Sequence, residues 1–216
     1  MEPRAPSFRY GAVLACATTA LVFLIVAPTA DWSRAVALAL QGLALAIAVA
    51  TASTRPETQR VRAAVVGGAA TLLVLAVALG AVPPEVAAAL SALAGTGASL
   101  ALVGGLIRLV RRHGVTLQAV AGALAIYVQI GLIFAWLIGF VAYVSDPPYF
   151  VQGGDGSQSD RVYFSFTVMT TTGFGDFTAA HPVGRGIAVV EMLVGQLYLV
   201  TVIGVLVGGL VGRRQR

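Results

Sequence analysis

Six apolar stretches, near residues 10 to 27, 35 to 53, 63 to 82, 85 to 107, 117 to 145 and 184 to 211, constrain this chain more than anything else in it. Each is long enough to span, or nearly span, a hydrocarbon slab that takes about 20 helical residues. With 58% hydrophobic and 11% charged residues, the chain lies outside the range of soluble domains. The reading is an all-α integral membrane protein with six transmembrane helices. The first stretch follows a short basic run, as a cleaved signal peptide would. Against that, Pro28 and Asp31 stand where the small-residue cleavage site belongs, and removal leaves an odd number of spans.

All fourteen basic residues are arginine, and they alternate from one connection to the next. Arg4 and Arg9 precede the first stretch; Arg55, Arg60 and Arg62 separate the second from the third; Arg108, Arg111 and Arg112 separate the fourth from the fifth; Arg213, Arg214 and Arg216 follow the sixth. By the positive-inside rule these segments, and with them both termini, are cytoplasmic. The other side keeps Arg34, Arg161 and Arg185 but carries Asp31, Glu85, Asp146, Asp155, Asp160 and Asp176, so it is the acidic, extracellular face. The net charge of +5 therefore reports topology and contact with lipid headgroups, with no nucleic acid as partner. Cys16 is alone in the chain and sits inside the first stretch as a packing residue, so one chain forms no disulfide. His113 and His181 stand far apart at loops or helix ends, and no Gly-rich nucleotide loop followed by Lys-Ser or Lys-Thr is present; no enzyme chemistry and no cofactor are expected.

Two blocks emerge along the chain. Residues 1–113 are a four-helix peripheral transmembrane region of two Ala-rich hairpins, with Pro56 in the link between them and Pro83-Pro84 at an outer turn that suits a helix start. Gly67, Gly68, Gly95, Gly97, Gly104 and Gly105 allow close helix approach in lipid. Residues 114–216 hold an outer helix at 117–145, a polar turret at 146–159, a short amphiphilic helix at 160–170, the run Thr170-Thr171-Thr172-Gly173-Phe174-Gly175-Asp176 and an inner helix at 184–211. Ser157 or Ser159 is the candidate cap of the short helix, with Asp160 near its positive end. A helix of about eleven residues covers only about 16 Å, half the apolar slab, so it enters and returns. Non-helical backbone after it is permissible at membrane depth only where it lines a water-filled path. A cation path needs consecutive carbonyls aimed at one axis, hence a backbone that alternates between negative and positive φ; Gly173 and Gly175 occupy alternate positions where glycine meets that demand.

The run resembles the Thr-Val-Gly-Tyr-Gly-Asp filter signature of the pore-loop potassium channel family, and the order helix, half-helix, filter, helix matches it. The resemblance implies a re-entrant pore helix and a filter at 171–176 between helices five and six. It implies K+ as the permeant ion, bound by the carbonyls of Thr171, Thr172, Gly173 and Phe174 with the Thr171 hydroxyl, and Gly175 completing the ribbon. Thr172 and Phe174 depart from the family's valine and tyrosine. Phe174 lacks the hydroxyl that tethers the filter to the pore helix, and the extra hydroxyl of Thr172 needs a partner if it is buried. Thr170 ends the pore helix, and Thr167 stands where some relatives carry a glutamate paired with the aspartate. The family's aromatic donor near the pore-helix start corresponds to Tyr163, with its hydroxyl toward Asp176.

The six-stretch layout also resembles voltage-gated members, which need several basic residues spaced through the fourth span. Residues 86–107 carry no charge, so the first block lacks gating charges and Arg108, Arg111 and Arg112 read as interfacial anchors. On the inner helix, Gly195 matches the family's hinge, with close packing as its other reading, and Gln196 is the candidate cavity wall. Glu191 is the one acid within a span; it is either protonated or hydrogen-bonded behind the filter, to Ser165 or Thr167, or it faces the ion path. A single filter per chain implies a homotetramer. The expected function is a passive potassium-selective channel of the cell membrane. The alternatives are a weakly selective cation channel, an ion-transporter subunit and a non-conducting accessory subunit. With little sequence after the inner helix, opening is expected to be constitutive, controlled at the filter, or set by lipid, pH or a separate regulatory subunit.

Overall fold

The computed structural model describes residues 10–28, 83–146 and 148–214, with isolated positions between 33 and 76. The second and third apolar stretches, the termini and the arginines at 4, 9, 34, 55, 60 and 62 fall largely or wholly outside the described residues. Among those described, the chain is helical, and its only extended pairings are isolated bridges of Phe150 with Gly154 and with Ala179.

Helix α1 runs Tyr10–Val26 and α2 runs Pro84–His113. Pro84 starts α2 at the first helical position, where its missing N–H costs nothing. Arg111, Arg112 and His113 occupy its last turn, where positive charge complements the exposed carbonyls. The helix therefore continues past the expected end at 107 and takes up the arginine cluster. Helix α3, Leu117–Val144, begins where the Thr116 side chain accepts from Ala119 N at 3.2 Å. At about 1.5 Å per residue its 28 residues extend about 42 Å. Among the described residues two helices are long and apolar enough to cross a membrane, Leu117–Val144 and the segment Pro182–Gly212.

The short helix α4 spans Gln158–Met169, two residues earlier than the expected start at 160. The reason is a reciprocal cap: Ser157 Oγ accepts from Asp160 N at 3.2 Å, and Asp160 Oδ2 accepts from Ser157 N at 2.7 Å. Ser159 is not the cap. Its hydroxyl donates to Ile25 O of α1 at 2.8 Å.

The last apolar stretch forms α5, Pro182–Leu197, then a π-helical segment at Tyr198–Ile203, then α6, Gly204–Arg214. It departs from the expected uniform helix at 184–211 at its start and in its middle, and it runs on to Arg214. It starts earlier because His181 Nδ1 accepts from Gly184 N at 3.2 Å and Pro182 takes the first turn. It widens at 198–203, where the Tyr198 hydroxyl donates to Ala123 O of α3 at 2.8 Å and the ring stacks on Tyr127. The Thr201 hydroxyl bonds back to Leu197 O within the same segment.

Helix α3 is the centre of the arrangement: α1, α2, α4 and α5 all pack against it, and α4 also packs against α1 and α5. One apolar cluster joins Tyr10, Leu102, Leu106, Ile126 and Leu206; another joins Leu24, Leu132, Trp136 and Val162. At the turret end Tyr149, Phe150, Phe164 and Phe177 meet edge to face. This wall of rings packs the loop ahead of α4 against the loop that leads into α5.

Candidate functional site

The loop from Thr170 to Asp176 leaves the C-terminus of α4 and lies exposed on the chain. Its backbone alternates in hand: φ is +59° at Thr171, +49° at Gly173 and +81° at Gly175, with Thr172 and Phe174 at negative φ between them. In extended backbone successive carbonyls point to opposite sides, whereas alternation between left- and right-handed φ turns them to one side and the N–H groups to the other. The N–H side is tied to α4. Thr171 N donates to Val168 O at 2.9 Å, and Thr172 N and Gly173 N both donate to Thr167 O, at 2.9 and 3.1 Å. Among the described residues no donor reaches the carbonyl oxygens of 171–175. Among the described residues the loop thus leaves these oxygens as uncommitted acceptors.

Glycine spacing alone did not reveal Thr171. A β-branched residue at positive φ costs about 1–3 kcal/mol and persists only where its surroundings hold it. Here the holders are the bond to Val168 O and Gln196 Nε2, 3.5 Å from Thr171 Oγ1. That contact places Gln196, half-buried on α5, at the inner end of the loop.

The Thr172 hydroxyl has a partner. It lies 2.9 Å from Thr170 Oγ1, whose own proton goes to Phe166 O at 2.6 Å, so Thr172 is the donor of the pair. The Thr167 hydroxyl bonds back to Phe164 O at 2.8 Å. Phe174, without a hydroxyl, is held by stacking: its ring lies 6.3 Å from that of Tyr163 and within 6° of parallel. Tyr163 also meets Phe177 edge to face. Its phenol is raised above its ordinary value, chiefly by hydrogen bonding to the Asp176 carboxylate, then by desolvation and by that group's charge. Asp176 Oδ1 additionally accepts from Phe177 N at 3.1 Å.

Residues 124–210 match the family model described as an ion channel. The match supports ion-channel function and begins within α3, takes in α4 and the alternating loop, and ends within α6. No curated protein and no solved structure matches the chain. Membrane location follows from the channel match together with the two long apolar helices.

Two site residues on α5 face α4. A Cβ on Gly195 would stand 2.5 Å from Met169 O and 2.6 Å from Met169 Cγ, so this glycine admits the end of α4. Across Met169, a Cβ on Gly131 of α3 would stand 2.9 Å from Met169 Cε and 2.7 Å from the Phe166 ring. Met169 is wedged between two bare backbones. Glu191 is fully buried, and its Oε1 lies 2.5 Å from Ser165 Oγ. It sits behind α4, with Ser165 and not Thr167 as its partner.

Sequence reasoning also passed over Arg161. It is 4% exposed, its Nε donates to Asp155 O at 2.9 Å and its guanidinium lies 4.9 Å from the centre of the Tyr143 ring. A buried arginine in the first turn of α4 pins the turret to the start of that helix. The signal was the arginine itself, on a side where positive charge is scarce.

Proposed function

We propose that this chain is one subunit of a homotetrameric, passive, potassium-selective channel, not an enzyme. K+ is the permeant ion, and its ligands are the carbonyls of Thr171, Thr172, Gly173 and Phe174 with the Thr171 hydroxyl. The observation that carries this reading is the alternation of φ at 171, 173 and 175, with the N–H groups of 171–173 fastened to α4 and no donor among the described residues on the carbonyls. One such ribbon offers one side of a coordination shell, and four around an axis close it. The inner helix has the surface for such an assembly: 11% of the apolar window of Pro182–Gly212 is buried within the chain, against 56% for Leu117–Val144. Six spans in a cell membrane, with both termini cytoplasmic and Asp176 at an outward mouth, complete the proposal. Fourfold repetition of such acids concentrates cations there.

The test is the reversal potential of purified protein in planar bilayers with potassium on one side and sodium on the other. The expected value lies near the potassium equilibrium potential. A value near zero with robust current selects a second reading, a weakly selective cation channel, which the stacking-only restraint on Phe174 favours. A tetramer that passes no ion in vesicles refutes both and leaves a non-conducting or transporter-type subunit.

A further inference from the structure

The hydroxyl of Ser165 makes two short contacts and has one proton to give. Its oxygen lies 2.7 Å from Gly131 O on α3 and 2.5 Å from Glu191 Oε1 on α5. Gly131 O is a carbonyl and only accepts, so it takes the serine proton. The contact with Glu191 is then a hydrogen bond only if the proton comes from the carboxyl. An ionised Glu191 leaves two acceptor oxygens facing each other at one of these distances, inside a group of fully buried side chains. Among the described residues no cationic side chain pairs with Glu191, and its Oε2 is buried without a partner. The titratable groups near enough to feel its charge are the phenols of Tyr127 on α3 and Tyr149 ahead of α4, neither of which supplies a positive charge.

We propose that Glu191 is a neutral carboxylic acid that acts as a positioning residue for the candidate filter. Its proton is donated to Ser165 Oγ, the Ser165 proton is donated to Gly131 O, and this two-bond relay sets α3, α4 and α5 at one level. The register gives the relay its consequence. Ser165 precedes Met169 by four residues on α4, and Glu191 precedes Gly195 by four residues on α5, so each pair shares a helix face. The Ser165–Glu191 and Met169–Gly195 contacts are successive rungs between the two helices. The next contact down is Gln196 with Thr171, at the loop itself. A proton held at the first rung therefore fixes the height at which α4 delivers Thr171.

Infrared difference spectroscopy of the purified full chain at neutral pH tests the charge state without any need for conduction. A protonated carboxyl C=O band is expected, absent in Glu191→Gln and shifted in Ser165→Ala. No such band in the wild type, or one that survives in Glu191→Gln, overturns the proposal. The second arm rests on the channel reading: the potassium-to-sodium permeability ratio stays within about twofold in Glu191→Gln, whose amide still donates, and falls about tenfold in Glu191→Leu, which fills the space but donates nothing. An assembled Glu191→Leu protein with wild-type selectivity overturns the positioning role. If wild-type vesicles pass no potassium, the channel reading fails, and the infrared band still decides this one.

Discussion

Replacing Gly195 by alanine tests the wedge that holds the end of α4. The added methyl would meet Met169 O at 2.5 Å and Met169 Cγ at 2.6 Å, whereas ordinary contact begins at 3.4 Å. Relief therefore needs a displacement of 3.4 − 2.5 = 0.9 Å. The carbonyl cannot rotate away without breaking the helix end, and Met169 cannot retreat, because Gly131 and the Phe166 ring close the other side. The inner helix has to move off α4 instead. Overpacking of a filled core by one methyl costs about 1–3 kcal/mol. The higher helix propensity of alanine returns at most about 1 kcal/mol of that. Among the described residues nothing lies within 4 Å of a Cβ on Gly208 of α6, so Gly208→Ala is the control that carries the propensity gain alone. The assay is thermal unfolding of the purified protein in detergent, paired with the permeability ratio. Gly195→Ala should unfold at lower temperature than wild type and lose selectivity, and Gly208→Ala should do neither. Equal stability and selectivity in Gly195→Ala would refute the wedge, and unchanged open probability would reject a hinge at this position as well.

Alanine at Gly173 or Gly175 forces a Cβ into positive φ at a cost of about 1–2 kcal/mol, although neither site is crowded within the chain. Potassium flux in vesicles should fall by at least about tenfold, and wild-type flux in Gly173→Ala would remove the alternating backbone from the mechanism. Tyr163→Phe should loosen the outer mouth, read as faster loss of current during sustained flux; unchanged ion occupancy and current decay would make the Asp176 contact idle. Because the Tyr163 phenol is raised, the contact is fully present below its ordinary value of about 10 and is lost only as pH rises through the raised value. Its alkaline absorbance titration should move back down in Asp176→Asn. Ser159→Ala removes the bond to Ile25 O and should cost about 0.5–1.5 kcal/mol in thermal unfolding; no change would show that water replaces the serine.

The order of elements around the loop was legible because each is written locally. Pro84 and the Ser157 and Asp160 pair each mark a helix start within a few residues, and Gly173 and Gly175 mark the positive φ that glycine favours. The unreadable features are those decided by distant partners. Thr171 takes positive φ because Val168 and Gln196 hold it, and no propensity of threonine foretells that. The inner helix widens at 198–203 where Tyr198 reaches Ala123, seventy-five positions away. Gly195 looked like a hinge by position, and its neighbour Met169 supplies the packing reason that position alone leaves open. Glu191 was legible as an anomaly, but Ser165 and Gly131, which decide its proton, come from two other helices.

These distant partners share a target. The short helix α4 is fastened at its start by the Ser157–Asp160 cap, by Arg161 to Asp155, and by Ser159 to α1, and at its end by the two glycines around Met169. Every one of these restraints comes from within a single chain. Among the described residues the row of acceptors after α4 has no such restraint on its carbonyl side. A single chain thus fixes where the row stands and leaves open only what it coordinates. Helix α1 takes part in the fastening through Ile25 and Leu24, the latter packed with Trp136 and Val162. That contact buttresses the start of α4 from the side of α1.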